Sequence, residues 1–505
     1  MPPLDFFKPR WRHPEAKVRL EAIGKIEDQA LLARIAIEEK PFGSSVGKAA
    51  TERMTDQALL AKVATEASDH YTRMAAMWRV TDQSLLARIA TEGDYEVREH
   101  AVKRLIDQTL LARIVIEQNS FRLSGNVDET KATLEARIRG YAVERLTDQT
   151  LLARIATEDT HAPVRTAAAH RLTDQALLAR ITVADENDLV RITALHRVAD
   201  QTSLISIARV TSDEAVGKAA VEKVNDQPGL ASIAIENRSS SWNSTGRAAA
   251  QRVTDPTLLA RIAIEAKNAV IRGIATSKLI DQTLLARIAM EDKDDDVRQA
   301  ALRGVTDQML LAKVATEAKN KDVGKAATER MTDQALLANV ATEAKNEDVR
   351  DDAVFRMKDP ALLAQIAVEN WNPNIRRSAA LLVTDQALLV QIAKEDKDQG
   401  VRKLAVKRVT DQALLAGIAI EAKDAGIRGL AVSRMIDQTL LAGIAMEDAH
   451  GDVRKAAVRR VTDQALLAEI AVKAKDAGVA ADAASRVTDQ ALRARLASAK
   501  QPRKV

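Results

Sequence analysis

The sequence predicts an all-α fold, a right-handed α-solenoid (superhelix) of about 18 two-helix repeats of 26 residues. Three observations carry this. An aspartate opens the same phrase eighteen times between Asp28 and Asp489. Apolar residues after each of these aspartates fall at helical spacing. An alanine returns at one fixed place in the second half of every unit. A fixed period of 20–50 residues marks a stack of supersecondary units rather than a single globular core.

The chain before the first marker, residues 1–27, reads as an N-terminal cap and first helix. Phe6, Phe7 and Trp11 are placed to cover the open end of the stack, and Pro14 suits the start of a helix. Residues 28–497 form the repeat array, marked at Asp28, Asp56, Asp82, Asp107, Asp148, Asp174, Asp200, Asp226, Asp255 and then every 26 residues to Asp489. Steps of 28, 25, 41 and 29 are the only departures, the last two from insertions near 119–133 and 239–244. Residues 498–505 are a basic C-terminal tail.

Within a unit the first helix follows the marker. After Asp82, Leu85, Leu86 and Ile89 lie at i, i+1 and i+4, one helical stripe. The marker is an N-cap, its carboxylate accepting the free N–H groups of the first turn. Pro256 and Pro360 directly follow their markers and fix this register, since proline fits the first helical position. A second cap comes about 13 residues later, at Asp294, Asn320, Asn346, Asp398 and Asp424, and opens the second helix. Six residues before each marker stands Ala, and two before it Val, Ile, Leu or Met. Alanine there lets neighbouring helices approach to the usual 8–10 Å. A unit this short cannot bury its own apolar stripe, so stacking supplies the core.

Composition narrows the function classes. With 75 basic and 71 acidic residues the net charge is +4, too near balance for a chain dedicated to nucleic acid. There is no cysteine, hence no disulfide, thiol chemistry or thiolate metal site, which fits a cytoplasmic location. No apolar run is long enough to span a membrane, and the N-terminus has no signal-peptide core.

The phrase D-x-x-V-R-x-x-A, at Asp294–Ala301 and, with Ile427 for Val, at Asp424–Ala431, resembles HEAT-like repeats. In those repeats an Asp and an Arg flank the inter-helix turn. The short period and the wording LLARIA…VRKAAV also resemble the bacterial leucine-rich repeat variant group. That group includes a protein with a cysteine-ligated cluster, which a chain without cysteine cannot hold. The resemblance covers roughly residues 14–497 and implies a binding scaffold, without choosing the ligand.

Recognition is sought where the repeat varies. Four before each marker the residue scatters, including Trp78, Lys103, His170, His196, Arg303 and Phe355, and eight before it is also mixed. Residues four apart share a helix face, so these positions make one stripe. A varied face on a uniform scaffold is how repeat proteins build recognition surfaces. Drift of unconstrained exposed residues would give the same scatter. The inserted Trp242, and Trp371 in the corresponding turn further on, add edge contacts, or are tolerated loop residues. These eight residues are the candidate partner-binding set for an unidentified protein or peptide.

The alternative partner is a nucleic acid or other polyanion. Three before each marker the residue is nearly always basic, including Arg79, Arg104, Arg171 and Arg197. Six after it, Arg88, Arg113, Arg154 and Arg180 make the N-terminal half more positive. Glutamate ten after the marker is expected to neutralise the first line by ion pairing, each exposed pair contributing about 0–1 kcal/mol. No metal, cofactor or catalytic activity is expected. His170 and His196 fall in the same place of adjacent repeats, about 10 Å apart, too wide for one zinc. No Gly-rich phosphate loop or nucleophile elbow is present. Segments 46–67 and 323–344 differ only at Lys62 and Asn339, which recent duplication explains.

Overall fold

A computed structural model describes residues 9–38, 45–119, 129–236 and 244–499. Among them are thirty-six α-helices, one short 3-10 turn at Arg10–Arg12 and no strand. The array of paired helices is an α-solenoid, as the sequence predicts. The chain divides into two compact units, Met1–Leu258 and Leu259–Val505. Within each, the two helices of a repeat pack on one another, and each second helix packs on the next second helix.

The markers cap as expected. The Asp82 carboxylate accepts the Leu85 N–H at 3.0 Å, and Asp307 accepts that of Leu310 at 3.0 Å. Pro256 and Pro360 open their helices. Asp294, Asn320, Asn346, Asp398 and Asp424 cap the second helices. The alanines six before the marker are sealed in the interior. Ala76, Ala101 and Ala249 in the first unit and Ala301, Ala353 and Ala457 in the second are all 0% exposed. Ala22, in the first helix, is half-buried. That helix runs Ala16–Ile23, so Pro14 precedes it by two residues rather than starting it.

Three kinds of side-chain clamp recur between successive repeats. The glutamine after the marker forms one. Gln57 Oε1 accepts the N–H groups of Thr81 at 2.7 Å and Asp82 at 3.4 Å in the following repeat, and its amide donates to the Arg79 carbonyl. Gln308 treats Thr332, Asp333 and Arg330 the same way in the second unit.

The second clamp is the basic line, and it corrects the expected pairing with glutamate. In the first unit Arg79 donates to the Met54 carbonyl at 2.8 Å, Arg104 to Met77 at 2.7 Å, Arg171 to Leu146 at 3.2 Å and Arg197 to Leu172 at 3.5 Å. In the second, Arg408, Arg434 and Arg460 reach Val383, Val409 and Met435. Each acceptor lies at the end of the preceding repeat's second helix. Helix C-termini leave carbonyls without intrahelical partners and favour cations, which is why these positions are basic. Arg356 departs from the pattern and pairs with Asp352 and Glu329. The glutamates instead meet the basic residue one turn back on their own helix, as in Arg88–Glu92 at 3.8 Å and Arg113–Glu117 at 3.8 Å.

The third clamp crosses the inter-helix turns. In many second helices an early arginine donates to its own turn and reaches an acid of the next repeat. Arg165 grips Asp185 with two bonds of 2.8 and 2.9 Å in the first unit. Arg272–Asp292, Arg376–Asp396 and Arg428–Asp448 do the same in the second. Parallel N–H bonds to both oxygens of a carboxylate are strong and orientationally strict. Burial acts to raise the Asp292 and Asp448 carboxyls, but the facing guanidinium and a turn N–H outweigh it and hold both below the ordinary value.

Candidate partner-binding surface

The stripe four before the marker faces solvent in every repeat of both units, two residues from the sealed alanine. Trp78, Lys103, His170, His196, Arg303 and Phe355 are all exposed there. Their shared exposure follows from helix geometry: four residues before the marker lies on the face opposite the alanine contact.

The first unit concentrates aromatic groups around Trp78 of this stripe. Trp78 is 54% exposed, and its ring centre lies 5.3 Å from that of His100 on the next second helix, Tyr95–Arg104. The Arg104 guanidinium sits 5.6 Å from the same indole while clamping the Met77 carbonyl. Lys103 Nζ lies 4.1 Å over the Tyr141 ring, and Arg137 lies 5.5 Å from Tyr95. Tyr141 and Arg137 come from the helix Glu129–Val143, whose 15 residues exceed the usual 10. Tyr71 is 66% exposed on the helix that carries Trp78. Gly140 leaves open space where a side chain would stand.

Charge within the cluster is balanced and ordered. Burial acts to raise the Glu99 carboxyl, but the Lys103 ammonium and the Tyr141 hydroxyl outweigh it and hold it below the usual carboxylate value. The Glu99 bond also raises Lys103, and burial pushes the Tyr95 phenol up. Cation–π contacts of this kind contribute about 0.5–1 kcal/mol each where exposed. They hold the rings in place before any partner arrives.

Sequence reading found Trp78 and Lys103 but not Tyr71, Tyr95, His100, Arg137 or Tyr141. A signal was there: all three tyrosines of the chain fall between residues 71 and 141.

The other candidates scatter. Trp371 is exposed in the turn after the helix Pro360–Glu369, and its indole N–H donates to the Thr342 carbonyl at 3.3 Å. Trp242, Phe6, Phe7, residues 120–128 and residues 500–505 lie outside the described residues. Of the polyanion set, Arg79, Arg104, Arg171 and Arg197 are engaged on carbonyls, and Arg88 and Arg113 on glutamates. Arg154 and Arg180 have no partner among the described residues. Among those residues, too, no cluster of His, Cys, Asp or Glu is disposed to hold a metal, and no helix is long and apolar enough to cross a membrane.

No family model and no curated protein matches the chain. Solved structures match the chain at low similarity, these two among them. One, in which Kap95p binding induces the switch loops of RanGDP to adopt the GTP-bound conformation, is 12% identical, covers 97% of this chain and 71% of the other, and has a TM-score of 0.25. The second concerns the UNC-45 chaperone and features critical for binding and folding muscle myosin. It is 11% identical over 96% of this chain and 57% of that one, with a TM-score of 0.16. Neither likeness carries an argument about binding, and the solenoid assignment rests on the helix array itself.

Proposed function

We propose that this protein is a non-catalytic, cytoplasmic scaffold that takes a protein or peptide partner on the exposed stripe of its second helices. The Trp78–His100–Tyr141 cluster is the anchor in the first unit. The observation that carries this reading is that the position four before the marker, which scatters, is solvent-facing in every repeat, while the recurring alanines are buried and the recurring Gln and Arg side chains are clamped. Tryptophan, tyrosine and arginine are the residues that dominate binding energy at protein interfaces, and the cluster presents all three.

The test is a comparative capture from lysate, read for both protein and nucleic acid. Wild type is set against Trp78→Ser/His100→Ser/Tyr141→Ser, with far-UV circular dichroism confirming an unchanged helix content. A protein retained by wild type and reduced more than tenfold on the variant supports the reading. Equal recovery on both removes the cluster as the anchor. Polyanion binding would show as captured nucleic acid whose affinity falls steeply between low and moderate salt.

A further inference from the structure

The turn clamp has a vacancy of charge in the second unit. Arg350 occupies the clamp position of the helix Glu347–Arg356 and is only 8% exposed. Its counterpart twenty residues on, where Arg376 finds Asp396 and Arg428 finds Asp448, is Asn370. The next acidic option, used by Arg402 with Asp424, is Asn372. Both asparagines are buried, at 6% and 7% exposure. Arg350 donates to the Ala344 and Lys345 carbonyls of its own turn, but its Nε is buried without a partner, and it forms no ion pair with a described residue. Of the nearby acids, Glu347 bonds Asn372 and Asn374, Asp348 pairs with Lys321 and Lys325, and Asp351 bonds Ser378 and acts on the Arg350 charge through space without an ion-pair contact.

Arg298 shows what the alternative looks like. It too lacks an acid in the next repeat, where Ala318 and Asn320 stand, but it takes Asp295 from its own helix. Arg350 takes none. A buried guanidinium without a counter-charge is costly, and the cost is relieved by any carboxylate that can reach it. Over this guanidinium stands Trp371, its ring centre 5.4 Å away and its surface 67% exposed. In the second unit the same turn position elsewhere holds lysine, as at Lys293, Lys319, Lys345, Lys397 and Lys423, except at Ala449. The turn thus departs from its usual residues at two adjacent positions, a neutral Asn370 where the bidentate clamps place Asp and an exposed Trp371 where the turn usually holds Lys.

We propose that Arg350, Asn370, Trp371 and Asn372 form a carboxylate-recognition site for a partner peptide. The peptide's carboxylate supplies the charge missing from this clamp, and its adjoining chain lies against Trp371. An acidic side chain and a free C-terminus offer the same group. The site stands on a turn of the second unit and does not depend on the second-helix stripe.

Trp371 is its own reporter. Replacing Trp11, Trp78 and Trp242 by Phe leaves it as the only one of the four tryptophans, in the full-length chain. Three tripeptides serve as probes in low salt: acetyl-Ala-Glu-Ala-amide, acetyl-Ala-Gln-Ala with a free C-terminal carboxylate, and acetyl-Ala-Gln-Ala-amide. Saturable change in Trp371 emission with either or both acidic probes, and none with the neutral one, is expected. The two acidic arms identify which source of carboxylate fits. Asn370→Asp builds the missing acid into the protein and should weaken binding at least tenfold without unfolding it. An equal response to the neutral peptide, no saturable response to either acidic one, or unaltered binding to Asn370→Asp would overturn the proposal. Because Trp78 is already replaced, the result is independent of whether the stripe binds anything.

Discussion

Asp396→Asn removes the acid that Arg376 grips while leaving Asp398 at the second acidic position, and its cost can be worked from the geometry. Arg376 and Asp396 are both buried, and two bonds of 2.8 and 2.9 Å join them. The amide keeps the oxygen that accepts the Asp398 N–H at 2.7 Å, so the turn survives, while the charge and the bond from Arg376 Nε are lost. Removing one partner of a buried pair costs about 3–5 kcal/mol, chiefly from the ion left behind. The retained acceptor puts this variant at the lower end, about 3 kcal/mol. Arg376→Met/Asp396→Asn removes both charges and should lie within about 1 kcal/mol of wild type, because replacing a whole buried pair by apolar groups is often neutral. A repeat array unfolds locally, so hydrogen exchange of peptides spanning residues 373–408 is the assay rather than a global midpoint. About 3 kcal/mol corresponds to roughly a hundredfold faster exchange there for the single variant. If the single variant exchanges no faster than the double, the pair is not coupled and the clamp contributes nothing as a charge pair.

Gln308→Ala withdraws the acceptor shared by the Thr332 and Asp333 N–H groups. A cost of about 1–3 kcal/mol is expected, read as faster exchange at residues 329–337. Ala301→Leu inserts three carbons at a position that is 0% exposed between stacked helices. It should lower stability by about 1–3 kcal/mol or more, whereas Arg303→Leu on the exposed stripe should leave the thermal midpoint nearly unchanged. The Arg402 bond, reinforced by turn N–H groups, lowers Asp424, and the Arg272 and Arg428 bonds outweigh burial to lower Asp292 and Asp448. Their contribution is present above the unfolded carboxylate value of about 3.9 and is lost as pH falls through the lower folded value, so helix content should collapse below about pH 4. Asp351 has the opposite sign. Burial raises it, so Asp351→Asn should raise the melting temperature at pH 7 by an amount that shrinks toward pH 4.

The architecture was legible because its determinants are local and repeated. A capping Asp, a proline at the first helical position and a sealed Ala each act within a few residues, and eighteen copies average out exceptions. What the sequence hid is what passes between repeats. Nothing in the string distinguishes an arginine that pairs with Glu92 from one that donates to the Met54 carbonyl, since the second acceptor is backbone and has no letter. The glutamine clamp was hidden in part for the same reason: besides the Thr81 hydroxyl, it accepts from two main-chain N–H groups of the next repeat. The aromatic cluster is different. Trp78 stood out at its own position, but His100 and Tyr141 lie seven before their markers, off the positions inspected, and join it only when three helices stack.

These clamps also decide what the basic residues are free to do. A phosphate backbone is tracked by cations that exchange solvent and counter-ions for phosphate oxygens. Arg79, Arg104, Arg171 and Arg197 would have to abandon helix-end carbonyls first, leaving those acceptors unsatisfied at about 1–3 kcal/mol each. Arg88 and Arg113 would bring Glu92 and Glu117 beside the polyanion. The positive character that the sequence displays is therefore largely consumed in holding the stack together. Arg350 is the converse: an arginine that the stack has buried but not neutralised. In an array whose recurring residues answer one another from repeat to repeat, the proposed site lies where a recurring residue has lost its answer, and that criterion favours a carboxylate ligand over a phosphate track.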